Sequence, residues 1–225
     1  MKKINICFVC RGAYGLFNNS CMKKEGSTYG GVEVDIYNLS RELAKDKNFE
    51  VKVIVGDFGQ PKQEIRNNIK LIKGFKPSDN KIIGILKIIW ILLKINPDIY
   101  FLERANGLNG IIRLISKLKN EKLIYRTASD VDCNGRYMKE NKIEGFFYKY
   151  ALKNSSAIIV QNYKNKKQLL NKYNLKSKVI KNAAEIPNKI SGKYKEILWV
   201  GRSEKLKNPF LFLDLARSFP KQKAC

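Results

Sequence analysis

Ile4-Asn-Ile-Cys-Phe-Val-Cys10 is followed by Gly30-Gly-Val-Glu-Val-Asp-Ile-Tyr-Asn-Leu-Ser-Arg-Glu-Leu-Ala-Lys45 and then by Glu50-Val-Lys-Val-Ile-Val55. The outer two are short runs rich in β-branched residues, as buried strands require. In the middle one Val32, Ile36, Leu39 and Leu43 recur at i, i+4, i+7 and i+11, which lines one face of a helix that two glycines open. The alternation continues: further strands are predicted at 69–72, 98–101, 122–126, 156–160 and 177–180, and further helices near 81–94, 107–119, 138–153 and 164–172. Strands and helices in turn are the mark of a parallel sheet wrapped by helices, so an open α/β fold is expected.

With 225 residues, 44% of them hydrophobic, the chain has room for one full domain and part of another. After Ile180 the pattern lapses into Lys181-Asn-Ala-Ala-Glu-Ile-Pro-Asn-Lys-Ile-Ser-Gly192, a turn-rich connector. Beyond it stands Glu196-Ile-Leu-Trp-Val-Gly-Arg-Ser-Glu-Lys-Leu-Lys-Asn-Pro-Phe210, a buried strand, a Gly-Arg turn and a Pro-started helix. The expected organisation is a domain at 1–185, a linker at 186–194 and the opening of a second, incomplete domain at 195–225. In so short a piece the strand has no sheet to join, and Leu211, Phe212 and Leu215 lack a full core.

Histidine is absent, which excludes Ser-His-Asp and Cys-His nucleophile systems and His-ligated catalytic zinc. Five cysteines, with no convincing export signal, read as reduced thiols of a cytoplasmic protein, and Cys7-Phe-Val-Cys10, without a second pair, reads as packing and not as a metal site. The most apolar stretch, 82–95, is shorter than the roughly 20 residues that cross a bilayer, and Lys87 and Lys94 interrupt it on one helix face. A net charge of +24 favours phosphate-bearing partners without choosing among nucleic acid, an anionic membrane surface and a nucleotide ligand.

In an open parallel sheet ligands bind beyond the carboxyl ends of the strands, and three polar clusters fall there. Tyr29-Gly30-Gly31-Val32-Glu33 starts the first long helix, where a glycine pair admits a ligand close to the backbone. Glu103-Arg104 and Arg126-Thr-Ala-Ser-Asp130-Val-Asp132 place carboxylates and arginines at successive strand ends, suited to binding hydroxyl-rich groups. Arg202 and Lys207 stand at the mouth of the last helix, where free N–H groups favour an anion such as a diphosphate. GxGxxG is absent, so a dinucleotide cofactor is not expected.

These residues resemble the retaining, nucleotide-sugar-dependent glycosyltransferases of the GT-B fold. Gly30-Gly31-Val32-Glu33 is similar to that family's glycine pair, Val179-Ile180-Lys181-Asn182 to its Val-Ile-x-Asn before the domain linker, and Ile197-Leu-Trp-Val-Gly-Arg202 with Lys207-Asn-Pro209 to the opening of its second domain. The resemblance implies a Rossmann-like acceptor-side domain and the first βα unit of a donor-binding domain, C-terminally truncated. It implies transfer of a sugar from a nucleotide diphosphate to an acceptor hydroxyl with retention, in cell-surface polysaccharide or glycolipid synthesis. Arg202 and Lys207 would stabilise the leaving group, Gly31 would lie on the phosphate-facing loop with Gly30 and Glu33 as further substrate-binding residues, and Glu103, Arg104, Asp130 and Asp132 would line the acceptor side. The expected partners are a nucleotide-diphosphate sugar, a glycan or lipid-linked acceptor and an anionic membrane surface; no cofactor and no metal is implied. Ser129-Asp130 stands where many relatives carry histidine, and the family's acidic donor-sugar motif would lie beyond Cys225, so the isolated chain is expected to be inactive or nearly so. The competing reading is a basic α/β protein that binds nucleic acid, motivated by seven lysines and no acid between Tyr163 and Lys181. No RNP aromatics, GXXG clamp or zinc finger accompanies that run.

Overall fold

The computed structural model describes residues 2–18, 29–76, 78–183, 196–201, 207–219 and 223–224. The chain divides into two compact units, Met1–Ala183 and Ala184–Cys225. In the first the elements run β1 (Ile4–Val9), α1 (Tyr14–Phe17), α2 (Gly31–Lys45), β2 (Phe49–Val55), β3 (Gln63–Arg66), β4 (Ile69–Lys73), α3 (Lys81–Lys94), β5 (Ile99–Glu103), α4 (Leu108–Leu118), β6 (Lys122–Arg126), α5 (Asp130–Cys133), α6 (Arg136–Glu140), α7 (Lys142–Asn154), β7 (Ala157–Val160), α8 (Tyr163–Tyr173) and β8 (Lys178–Val179). The strands form one eight-stranded sheet in the order β3-β4-β2-β1-β5-β6-β7-β8. All neighbours are parallel except β3, which runs antiparallel to β4.

The chain winds outward from β1 through β2 to β4, then from β5 in the other direction to β8. This is the doubly wound, Rossmann-like arrangement, and β1 and β5 flank its switch point, where diverging connections open a crevice beyond the strand ends. Burial on both faces explains the unbroken apolar runs. Cys7 packs with Ile88, Leu92 and Ile112 of α3 and α4 on one face, and Ile6 and Phe8 with Ile36 of α2 on the other. Cys7 and Cys10 belong to these opposite clusters, and burial pushes both thiols up to about 12.

Local differences from the sequence reading have physical causes. The hairpin strand β3 was not predicted; Asn67 and Asn68, with φ of 49° and 62°, form its turn, and two left-handed residues in succession are what a two-residue type I′ hairpin needs. The helix predicted over 138–153 is two, interrupted at Asn141 (φ −125°, ψ 81°). There α7 returns so close to α6 that a Cβ on Gly145 would lie 2.6 Å from the Met138 Cα. The strand predicted at 98–101 extends to Glu103, so Glu103 belongs to the strand and Arg104 begins the loop.

The second unit contains β9 (Glu196–Ile197), α9 (Pro209–Ser218) and β10 (Lys223–Ala224). The strand expected to lack a partner pairs in parallel with β10, across α9. Trp199 stacks on Phe212 with ring centroids 6.3 Å apart, while Leu211 and Leu215 remain 65% and 42% exposed.

Candidate functional site

At the switch point a pocket of about 260 Å³ lies among Cys10, Arg11 and Gly12 after β1, Glu33 on α2, and Glu103 and Arg104 at the end of β5. Asn106 and Asn109, at the start of α4, complete its polar lining. A second pocket of about 400 Å³ shares Arg104 and Asn106 and adds Ser129, Asp132, Tyr137 and Glu144. A third, of about 630 Å³, shares Arg11 and Asn106 and is walled by Phe75, Ile85, Ile143 and Phe147. The three adjoin along the carboxyl edge of the sheet.

Arg104 sits between the first two pockets with φ of +69°. The other described non-glycine residues with positive φ are Asn67, Asn68, Asn120, Asn174 and Asn208, and asparagine tolerates the left-handed region. An arginine there costs about 1–2 kcal/mol. Hydrogen bonds on both sides hold it: the Arg104 N–H donates to the Arg126 carbonyl at 3.2 Å, and the Asn109 side-chain amide donates to the Arg104 carbonyl at 2.9 Å. The backbone is thereby held in this conformation, and the exposed side chain leaves it at the rim of the pockets.

Beneath the rim, Arg126 is shared between two carboxylates, Glu103 at 3.4 Å and Asp35 at 3.5 Å. Burial raises the Glu103 carboxyl to about 8, with Arg126 opposing the shift and the acids Asp35, Asp132 and Glu33 adding to it. Its Oε1 has no hydrogen-bond partner. Asp35 is raised too, by burial against the opposing pull of Arg126. The Asn182 side chain accepts from Arg126 and donates to Asp35 at 2.7 Å, so the asparagine of Val179-Ile-Lys-Asn182 ties the chain leaving β8 to α2 and β6.

Asp132 organises the neighbouring loops. Its carboxylate accepts backbone N–H bonds from Ala105 at 3.2 Å, Ala128 at 2.6 Å and Ser129 at 3.2 Å, while Tyr148 donates its hydroxyl to the Asp132 carbonyl. Burial raises its carboxyl despite the opposing effect of those three donors.

The structure thus brings Glu33, Glu103 and Arg104 into one pocket and Asp132 into the next. Asp130 turns away to pair with Lys164 on the surface of α8. Gly30 caps α2, and the Glu33 carboxylate folds back to 2.7 Å from where a Gly30 Cβ would stand, whereas a Cβ on Gly31 would meet nothing within 4 Å. Lys207 is exposed in the second unit, and Arg202 lies outside the described residues. Among the described residues no three Cys, Asp or Glu side chains are grouped as metal ligands, Asp130 and Asp132 included. Sequence reasoning passed over Asp35, Asn106 and Asn109. A lone Asp early in an amphipathic helix reads as solvated, and only the fold reveals that Asp35 faces Arg126.

A doubly wound sheet with its crevice at the switch point, built from these strand ends, is the architecture of a Rossmann-like half of a GT-B protein. The chain belongs to the glycosyl transferase 4-like family, whose model matches residues 33–162, more than half of its length. Among solved structures it is similar to a UDP-GlcNAc 2-epimerase of Methanocaldococcus jannaschii, with 15% identity and a TM-score of 0.51 over 80% of this chain and 45% of that one. A candidate UDP-N-acetylglucosamine 2-epimerase of Listeria monocytogenes gives 12% identity and 0.52 over 76% and 43%. A further UDP-N-acetylglucosamine 2-epimerase gives 13% identity and 0.52 over 76% and 46%. At such identities the likeness is one of fold, and the chain spans less than half the length of each of these structures. No curated protein matches the chain.

Proposed function

We propose that this chain is the acceptor-side domain, 1–185, with a linker at 186–194 and the opening of a donor-binding domain at 195–225, of an enzyme that transfers a sugar from a nucleotide diphosphate to an acceptor hydroxyl with retention. The observation that carries the reading is the switch-point pocket, where the strained Arg104, Arg11 and two asparagines face a crevice within the family-matched segment. Cations and amides at one rim suit a hydroxyl-rich or phosphorylated acceptor. Arg202 and Lys207 would stabilise the departing diphosphate, and that phosphate, not a side chain, would take the acceptor proton on the same face. Polysaccharide or glycolipid assembly at the cytoplasmic face of a membrane is the setting this implies.

The fold neighbours favour a second reading, epimerisation of a UDP-sugar without any acceptor. One experiment separates the two: an enzyme that joins this chain to a complete donor-binding domain is incubated with UDP-, GDP- and dTDP-sugars, with and without glycan and lipid-linked acceptors, and the products are followed by NMR, residues 1–225 alone being expected to show little or no turnover. An acceptor-dependent glycoside with the donor's anomeric configuration supports transfer with retention. A product of inverted configuration removes retention, and an epimerised nucleotide sugar formed without acceptor removes transfer.

A further inference from the structure

We infer that the outer faces of α3 and α7 form a docking surface for a lipid bilayer rich in anionic headgroups. The sheet-facing side of α3 is Gly84, Ile88, Ile91 and Leu92, all buried. Its opposite side is equally apolar: Ile82, Ile83, Leu86, Trp90 and Leu93 are 49 to 67% exposed. At about 100° per residue these five fall within an arc of about 100°. Lys87 and Lys94 both lie just beyond one edge of that arc, and the Lys94 ammonium lies 3.5 Å from the centre of the Trp90 ring. An exposed apolar stripe bordered by lysines, with a tryptophan at the border, is the pattern of a helix lying in a membrane interface.

The surface continues onto α7. Lys81 of α3 pairs with Glu144 of α7 at 3.0 Å, and Ile85 and Ile143 wall the same pocket. The outward side of α7 mixes exposed Ile143 and Phe146 with Lys142, Lys149 and Lys153. Charge complementarity selects the occupant. The acids Asp79 and Glu144 on this face are each paired with a lysine of α3, while Lys94, Lys142 and Lys149 have no ion pair among the described residues. The excess is positive, and phosphate headgroups supply the opposite sign. No helix among the described residues is long and apolar enough to cross a membrane, so the association is one of surface. The surface stands whether or not the chain transfers a sugar; if it does, the pocket lined by Phe75, Ile85, Ile143 and Phe147 opens where a lipid-borne acceptor would arrive.

Flotation of the whole chain with phosphatidylglycerol–phosphatidylcholine vesicles tests this, with pure phosphatidylcholine as the other arm. Binding is expected only to the anionic vesicles. It should fall about 30-fold in Lys94→Gln/Lys142→Gln, at about fivefold per lysine, and at least tenfold in Leu86→Gln/Trp90→Gln, whose exposed positions leave the fold intact by circular dichroism. Equal flotation with both vesicle types, or unchanged flotation of either variant, overturns the proposal. So does self-association in sedimentation velocity that Leu86→Gln/Trp90→Gln abolishes, which would assign the face to a second copy of the chain.

Discussion

Replacing Glu103 with glutamine should flatten the pH dependence of stability. The wild-type carboxyl is raised from its ordinary 4.5 to about 8, chiefly by burial. Between those values the folded protein keeps a proton that the unfolded chain has released. The associated stability is therefore complete below about pH 4.5 and declines as pH rises toward 8, by up to about 1.4 kcal/mol per unit. From pH 5.5 to 7.5 this one group removes about 2.7 kcal/mol, or about 5–10 °C in melting temperature. The glutamine side chain has the same shape and cannot ionise, and Arg126 keeps Asp35 and Asn182 as partners. Asp35, Asp132 and Glu121 are raised as well; Glu121 tilts both proteins alike, whereas Asp35 and Asp132 interact with Glu103, so the difference between the curves reports Glu103 together with its coupling to those two acids. Thermal unfolding followed by circular dichroism in half-unit steps should show nearly coincident melting at pH 5.5 and a variant 5–10 °C more stable at pH 7.5. Curves that stay parallel within about 1 °C would refute the placement of a protonated carboxyl at this position.

Arg104→Asn should raise stability by about 0.5–1 kcal/mol by relieving the left-handed backbone, while weakening turnover in the NMR assay; a loss of stability would show that the arginine side chain holds the loop. Gly31→Ala meets no atom within 4 Å and should leave melting unchanged or slightly raised, yet reduce nucleotide-sugar binding in calorimetry if the start of α2 faces the phosphates. Asp132→Asn leaves one oxygen for three backbone donors and should cost about 2–4 kcal/mol in urea unfolding, whereas Asp130→Asn, on the surface, should cost under about 1 kcal/mol.

The parallel sheet was legible because each strand is buried on both faces and each long helix on one, and those demands write themselves into local periodicity. The hairpin strand β3 was not, since Gln63-Glu-Ile-Arg66 is polar and gains its partner from turn geometry. Nor was the break at Asn141, because the apolar face continues through it and the cause is the approach of Gly145 to Met138, a tertiary contact. The site divided similarly. Polar residues at strand ends pointed to Glu103, Arg104 and Asp132, but Asp130 was expected beside Asp132; the unpredicted short helix Asp130–Cys133 turns residues two apart to opposite sides and sends Asp130 to Lys164 instead. The buried cluster did not announce itself: Asp35 and Asn182 meet across a separation of 147 residues.

A raised carboxyl alone does not mark this edge of the sheet as the candidate site. Glu121, just before β6 at the opposite edge, is also raised by burial, with Lys119 opposing the shift from 3.2 Å. What distinguishes the carboxyl edge is coincidence. Glu103, with an oxygen left without a partner, adjoins an arginine held in a costly backbone conformation; both border the switch-point pocket, and the arginine also borders the next. Burial, strain and concavity each have structural explanations singly; converging on two consecutive residues at a switch point, they are more economically explained by binding. The guanidinium of Arg126 extends the argument beyond the pocket. It lies under Glu103 and also holds Asn182, where the chain leaves the first unit, so a ligand that draws Glu103 away from Arg126 also perturbs the anchor of that exit.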